Sequence, residues 1–177
     1  MATIHKNLSV IEGALPSASG MKFGIVVSEW NTQVTAALLD GAMRTLVAAG
    51  CAESDITVKR VPGTVELTLG AQFFAEYTDV DAVIALGCVV QGETRHFDYV
   101  CQSVTQGVTD VMLTWNMPVA SGVLTTDDMQ QALDRAGGKY GNKGDEAAVA
   151  AIRMAALQLE MEQEDPDPGR EREGERD

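Results

Sequence analysis

Aromatic residues are scarce in this 177-residue chain, at 5% of the sequence, although hydrophobic residues make up 45%. The core must therefore consist mainly of Ala, Val and Leu, and the length suits one globular domain with a substantial core. Long apolar runs are also missing, and the longest falls far short of the ~20 residues that a membrane span needs. The N-terminus lacks a basic region followed by an apolar stretch, so we expect no signal peptide and no membrane partner.

Cysteine is rare as well, with Cys51, Cys88 and Cys101 as the three examples. Their number is odd and no two of them have the CxxC spacing that is typical of metal or redox sites. We interpret them as free, buried thiols in a reducing compartment, which predicts a cytoplasmic location and no metal site.

Positively charged residues are few: the chain has 13 Lys and Arg and 26 Asp and Glu, which gives a net charge of −13. This balance argues against a nucleic-acid partner. Residues 160–177 alone carry −6, and residues 165–177 combine charge with Pro and Gly, so we expect a disordered acidic tail there. Residues 1–20 form an N-terminal extension in which Leu8, Val10, Ile11 and Leu15 suggest an extra edge strand. A single domain would then span residues 21–164.

Four apolar segments of this domain are predicted strands, at residues 23–28, 56–61, 81–90 and 118–124. Helical spacing of apolar residues follows each strand, with helices expected near residues 32–49, 64–77, 96–113, 127–136 and 145–162. Apolar strands without alternation are typical of parallel sheets that helices cover on both faces. The fold class is therefore α/β with a parallel sheet.

Ligands of such sheets bind beyond the carboxyl ends of the strands. Polar residues follow each predicted strand at this edge, in residues 29–31, 62–64, 91–94 and 125–126. Asn31 or Thr32 is a suitable N-cap for the helix after the first strand. We expect one rim of the sheet to carry the chemistry.

The most informative segment is GCVVQGETRHFDYV at residues 87–100. A buried strand ends there in a polar turn that includes Glu93 and Thr94, and a helix follows. The N–H groups and the dipole of a helix start can bind an anion, and His96 titrates near neutrality beside it. An anion site next to a proton carrier predicts a reaction centre, with a purely structural histidine as the alternative.

Three other features fit a small phosphorylated ligand. Trp30 follows a strand, where it is either a plate for a flat ligand or a surface or subunit contact. Glu66 lies in the predicted first turn of its helix, where it either favours the helix dipole or binds the hydroxyls of a polyol. Arg135, Lys139 and Lys143 occupy a Gly-rich loop of an acidic protein, which indicates phosphate binding better than it indicates a solubilising loop.

Five motifs occur in order along the chain: WNTQVT at 30–35, VPGTVEL at 61–67, LGCVVQGETRHFDYV at 86–100, GVLTTDD at 122–128 and RAGGKYGNKGDEAA at 135–148. With them the chain resembles the 6,7-dimethyl-8-ribityllumazine synthase family of riboflavin biosynthesis over roughly residues 21–159. The resemblance implies a three-layer flavodoxin-like sandwich whose four parallel strands have the order 2-1-3-4. It also implies an enzyme of the transferase class.

The family condenses 5-amino-6-ribitylaminouracil with 3,4-dihydroxy-2-butanone 4-phosphate and releases phosphate and water. By resemblance, His96 transfers protons, Trp30 stacks on the pyrimidine and Glu66 binds the ribityl hydroxyls. Phosphate is assigned to Glu93, Thr94 and Arg135. The remaining residues implied to hold the pyrimidine substrate are Asn31, Thr64, Val65, Cys88, Val89, Val90 and Lys143. No cofactor and no metal are expected.

Two positions depart from the family pattern: Ser121 stands where many members carry Phe, and Gln91 replaces a commonly basic residue. The family forms pentamers with active sites between subunits, so Ser121 and Arg135 are expected from a neighbour. Some members stack pentamers into sixty-subunit shells. We favour a shell because the RAGGKYGNKG turn is short, although the N-terminal extension and the acidic tail argue against one.

Two other function classes remain as alternatives. A flavodoxin-like electron carrier would need a hydroxyl-rich phosphate loop after the first strand, where this chain has SEWNTQ. A lumazine- or flavin-binding or shell-forming relative without turnover would explain Ser121, but Trp30, Glu66, His96 and Arg135 argue against it.

Overall fold

The computed structural model describes residues 13–164. Its elements are β1 (Phe23–Ser28), α1 (Thr32–Ala48), a 3-10 turn (Glu53–Asp55), β2 (Ile56–Val61), α2 (Leu67–Tyr77), β3 (Ala82–Val90), α3 (His96–Trp115), β4 (Val119–Thr126), α4 (Met129–Leu133), β5 (Ala136–Gly138), β6 (Gly141–Asn142) and α5 (Lys143–Gln163). The acidic tail and most of the suggested N-terminal strand, including Leu8, Val10 and Ile11, lie outside the described residues.

The four long strands form one parallel sheet with the order β2-β1-β3-β4. Pairing aligns Ser28 at the end of β1 with Val61 at the end of β2, and Val27 with Leu86 of β3. Strand β3 continues to Val90, which pairs with Thr126, so β3 and β4 extend beyond the carboxyl ends of β1 and β2. The predicted α/β class, flavodoxin-like layering and 2-1-3-4 order are confirmed. Strand β2 is added on one side of β1, whereas β3 and β4 are added on the other side. The strand order therefore reverses between β1 and β3, which makes that pair the topological switch point.

Each sheet face is buried by its own pair of helices. Ile25 and Val27 of β1 pack in a core with residues of α1 and α5, whereas Val26 packs with α2 and α3. Successive strand side chains point to opposite faces, and all six residues of β1 are buried because both faces are covered. The continuous apolar run in the sequence has this physical origin.

Close approach of α5 to α1 depends on one glycine at the start of α5. A Cβ atom at Gly144 would lie 1.9 Å from the carbonyl oxygen of Leu38, far inside any tolerable contact. The side chain of Asn142 fixes this junction, since its Nδ2 donates to the carbonyl of Ala37 at 2.8 Å and its Oδ1 accepts from the N–H of Gly144 at 2.8 Å. The Gly-rich segment is thus a packing feature as well as a turn.

Several predicted boundaries are wrong by a few residues. Helix α2 begins at Leu67 rather than residue 64, so Glu66 precedes the helix instead of lying in its first turn. The predicted Gly-rich turn at 137–144 contains the antiparallel hairpin of β5 and β6, and α5 begins at Lys143 within it. Helix α4 is limited to five residues. Among residues 13–164, no helix combines the length and the apolar character needed to cross a membrane.

Candidate active site

The carbonyl oxygen of Cys88 lies at the crevice between the ends of β1 and β3, and two side chains contact it. The Nδ2 of Asn31 donates to the carbonyl oxygen of Cys88 at 3.0 Å, and the Oγ1 of Thr64 lies 3.5 Å from the same oxygen. The residues that follow β1 and β2 are thereby attached to the end of β3. This crevice is the place where a doubly wound sheet binds ligands.

Asn31 has a backbone conformation that few residues tolerate. Its φ of 57° lies in the left-handed region, which Asn visits more readily than most non-glycine residues. It occupies the predicted N-cap position, but its side chain makes no capping bond and turns to Cys88 instead. Its backbone carbonyl accepts the N–H groups of Val34 and Thr35 at 2.9 and 3.1 Å. The proposed ligand contact of this side chain competes with its bond to β3.

Trp30 follows β1, and its indole ring lies against Gly63 in the loop between β2 and α2. Its side chain is 68% exposed, and a Cβ atom built on Gly63 would lie 2.8 Å from its ring. Glu66 closes that loop, because its Oε2 accepts the N–H of Gly63 at 2.9 Å. In the described part of the chain, Oε1 of Glu66 has no hydrogen-bond partner. An exposed indole and a free carboxylate oxygen therefore flank the same glycine.

This contact predicts the effect of Gly63→Ala. The added methyl group must displace the exposed indole, and it also meets Oε2 of Glu66 at the limiting distance of 3.0 Å, while the fold is retained because both side chains can move into solvent. We expect a rise of about three- to tenfold in the KM for the pyrimidine substrate that the family resemblance implies, the range of an aromatic contact, with little change in melting temperature.

Steady-state kinetics and thermal melting of the variant check this expectation. Trp30→Ala serves as the matched background, in which the effect of Gly63→Ala on KM should be clearly smaller. A similar rise in both backgrounds would show that Gly63 acts through Glu66 and not through the indole.

The segment after β3, where the sequence predicts an anion site, is exposed and carries few hydrogen bonds. The N–H of Gln91 donates to the carbonyl of Thr126 at 2.8 Å, and residues 91–96 are all exposed. Helix α3 is 20 residues long, and its N-cap residue Arg95 makes no side-chain capping bond. Only a weak bond of 3.4 Å joins the N–H of His96 to Oγ1 of Thr94. The start of a long helix is thus open to an anion, with His96 beside it.

Cys88 contributes its backbone rather than its thiol. Its side chain is buried in the core beneath α1, and burial raises the pKa of the thiol to about 11. The thiolate fraction is therefore very small near neutral pH, which rules out a nucleophilic role there. All three cysteines are free thiols, as predicted, although Cys101 is only half-buried. Among residues 13–164, no three His, Cys, Asp or Glu side chains form a group that could hold a metal ion.

The predicted cationic residues are bonded within their own segment and not to the crevice residues. The N–H of Lys143 donates to the carbonyl of Arg135 at 2.9 Å across the hairpin, and Nζ of Lys143 pairs with Oε2 of Glu146 at 2.9 Å. Ser121 is exposed in the middle of β4, opposite Ala85. Within residues 13–164, no hydrogen bond, ion pair or ring contact joins Ser121, Arg135 or Lys143 to the crevice residues.

A cavity of about 640 Å³ lies elsewhere, between residues 15–17 and the end of α1 around Arg44 to Ala49. Since α1 has 17 residues and is therefore about 25 Å long, this cavity is far from the crevice at the start of α1.

The structure thus divides the predicted site residues into two groups. One group lies at the crevice and along the segment after β3: Trp30, Asn31, Thr64, Val65, Glu66, Cys88, Val89, Val90, Glu93, Thr94 and His96. The other comprises Ser121, Arg135 and Lys143. Sequence reasoning missed Gly63 beneath the indole and Tyr140 beside Arg135. The available signals were the Pro62-Gly63 pair after the second strand, and an aromatic residue within a cationic segment for Tyr140.

The fold defines an α/β domain of flavodoxin-like topology, with the crevice between β1 and β3 at its switch point. The chain belongs to the 6,7-dimethyl-8-ribityllumazine synthase family, whose model matches residues 20–158. This membership confirms the family and the transferase class predicted from the five motifs.

Curated relatives support the assignment along most of the chain. The 6,7-dimethyl-8-ribityllumazine synthase of Parabacteroides distasonis is 57% identical over 155 residues, which cover 87% of this chain and 97% of the relative. That of Cytophaga hutchinsonii is 54% identical over 156 residues, covering 88% and 98%. That of Bacteroides fragilis is 59% identical over 134 residues, covering 76% and 94%.

Proposed function

We propose that this chain condenses 5-amino-6-ribitylaminouracil with 3,4-dihydroxy-2-butanone 4-phosphate at the crevice between β1 and β3. The observation that carries the proposal is the indole of Trp30 on Gly63, next to the Oε1 of Glu66. A flat ring with a polyol chain matches this pair, because the indole offers a stacking face and the carboxylate accepts hydroxyl hydrogens.

The backbone of β3 holds the edge of the pyrimidine in this proposal. Strand β1 stops at Ser28, so the end of β3 has no strand neighbour on that side. The carbonyl of Cys88 points there and is already bonded by Asn31. Val90 lies two residues further, so its backbone groups face the same side and are the ones offered to the uracil ring.

Phosphate binds at the open start of α3, with Glu93 and Thr94 contributing backbone N–H groups. The 5-amino group of the pyrimidine attacks the ketone of the butanone, and one water leaves as the imine forms. Phosphate is then eliminated, and the ribityl-bearing nitrogen closes the ring on the remaining carbonyl with loss of a second water. His96 stands beside this anion site and carries protons between these steps. Orientation of two reactive partners supplies the larger part of the rate.

We further propose that Ser121, Arg135 and Lys143 complete the crevice of a neighbouring subunit. Within residues 13–164, the lack of any hydrogen bond, ion pair or ring contact between these residues and the crevice residues supports this arrangement. Helix α2 supplies a surface for self-association, because Val65, Leu69, Phe73 and Tyr77 recur every four residues and are 42% to 69% exposed. The pentamer, the sixty-subunit shell and the cytoplasmic location are implied by the family resemblance and the composition.

The proposed activity is tested by mixing the purified protein with both substrates and recording lumazine absorbance. Formation of the lumazine with release of one phosphate supports the proposal. A folded protein that binds the pyrimidine without turnover would instead indicate a binding relative. A bound yellow chromophore that is reversibly reduced would indicate an electron carrier.

Mixed assemblies test the shared site. We expect Glu66→Ala and Arg135→Ala subunits to be weakly active alone but to recover about a quarter of the wild-type activity when randomly co-assembled, because one interface in four then joins two intact halves of a heterologous ring. Activity equal to the mean of the two variants would place the whole site in one subunit. Native mass measurement of the assembly then distinguishes a pentamer, a decamer and a shell.

A further inference from the structure

Arg135 is held in place by its own chain. Its Nη1 donates to the carbonyl oxygen of Gln131 at 2.9 Å, and its Cζ lies 4.9 Å from the ring centroid of Tyr140. Tyr140 occupies the turn between β5 and β6, where its backbone N–H donates to the carbonyl of Asp134 at 2.8 Å. Both contacts limit the directions in which the guanidinium can point.

The contact with the ring leaves hydrogen-bond donors available. A cation above an aromatic face is attracted electrostatically by the ring quadrupole, and this interaction does not occupy its N–H groups as hydrogen-bond donors. A guanidinium has five N–H donors, of which the bond to Gln131 uses one. The others can still reach two oxygens of a phosphate group in the bidentate manner typical of Arg.

A second cation on the same ring has a different partner. Nζ of Lys139 lies 4.8 Å from the Tyr140 centroid and 3.0 Å from Oδ2 of Asp134, and this hydrogen bond lowers the pKa of that carboxyl. In the part of the chain that the structure covers, no carboxylate oxygen lies within 4.0 Å of the Arg135 guanidinium. Lys139 therefore forms an ion pair with Asp134, whereas Arg135 acts on Asp134 only at longer range. The N–H groups of the guanidinium are thus not bonded to a carboxylate and are available to a ligand.

We propose that Tyr140 is a positioning residue for phosphate binding, whose ring presents the Arg135 guanidinium to the butanone phosphate. The inference rests on the phosphate role proposed for Arg135. A guanidinium already confined before binding has less side-chain entropy to lose when phosphate arrives, which strengthens binding without a new contact to the ligand.

Two substitutions at residue 140 test the proposal. We expect Tyr140→Leu to raise the KM for the butanone phosphate and the inhibition constant of inorganic phosphate together, by about two- to fivefold, which is the range of an exposed cation–π contact. The KM for the pyrimidine and kcat should stay unchanged. Tyr140→Phe keeps the aromatic face and should keep wild-type values, so equal effects of Leu and Phe would overturn the proposal.

Two further variants, Lys139→Gln and Arg135→Ala, test whether Tyr140 affects phosphate binding by positioning the Arg135 guanidinium. Lys139→Gln removes the other cation and should change the KM by less than about twofold at physiological salt, because exposed charges are screened. In an Arg135→Ala background, Tyr140→Leu should have no further effect, and an undiminished effect there would overturn the proposal. If Arg135→Ala raises the KM while Tyr140→Leu alone does not, only the positioning role fails. If Arg135→Ala leaves the KM unchanged, the phosphate role of Arg135 fails first.

Discussion

Replacing Arg135 by alanine is expected to raise the KM for the butanone phosphate by about 10- to 100-fold, with the KM for the pyrimidine nearly unchanged. The reason is the loss of a charge-assisted, bidentate contact to phosphate, which is worth more than a neutral hydrogen bond. The guanidinium is half-buried, bonded to Gln131 and stacked near Tyr140, so its direction is already fixed. Initial rates with each substrate varied in turn provide the measurement.

The control for this prediction is Arg135→Lys. Lysine keeps the positive charge but loses the planar fork, so a KM between those of wild type and Arg135→Ala is expected. Thermal melting should show both variants folded, because Arg135 makes one side-chain hydrogen bond and one ring contact in the described structure. Unchanged Michaelis constants for the butanone phosphate in Arg135→Ala would refute the phosphate role.

Replacing His96 by alanine is expected to lower kcat by about 10²- to 10⁴-fold while leaving measurable activity. A positioned acid–base group contributes a factor of this size, whereas orientation of two reactive partners can be equivalent to effective molarities of roughly 10⁵ M or more. The histidine is exposed at the first residue of α3, so its removal should not disturb the core. Both Michaelis constants should change little.

Added imidazole offers the matched test for His96. If the side chain transfers protons, free imidazole should restore part of the kcat of His96→Ala and leave that of Arg135→Ala unaffected. Circular dichroism and phosphate inhibition establish folding and binding of the variant. Complete loss of turnover in a folded variant that still binds both substrates would show that the histidine, and not orientation, dominates the reaction.

The strands were predictable from the sequence because burial on both sheet faces requires a continuous run of apolar residues. Each residue of β1 is buried, so the run FGIVVS shows no polar alternation. Helix starts were less predictable. Residues 64–66 have acceptable helical character, but the carboxylate of Glu66 bonds to the N–H of Gly63 and forms a turn there, which delays α2 until Leu67.

The hairpin of β5 and β6 shows a second limit of local patterns. Glycines at 137, 138, 141 and 144 suggested only a turn. The hairpin depends on packing against α1, where Asn142 bonds to the carbonyl of Ala37 and Gly144 passes the carbonyl of Leu38. These contacts join residues about 100 positions apart, so no local window contains them.

The sequence by itself determined the α/β class, the edge of the sheet at which the polar residues meet and, through five motifs, the family; the anion site before His96 stays a prediction. Each of these depends on local periodicity or on short residue spacings. Only the tertiary structure decided that Asn31 bonds to Cys88 across the switch point, that Gly63 supports the indole of Trp30, and that Arg135 lies against Tyr140. Such relations arise when separate elements pack, because packing brings side chains together according to the three-dimensional path of the chain.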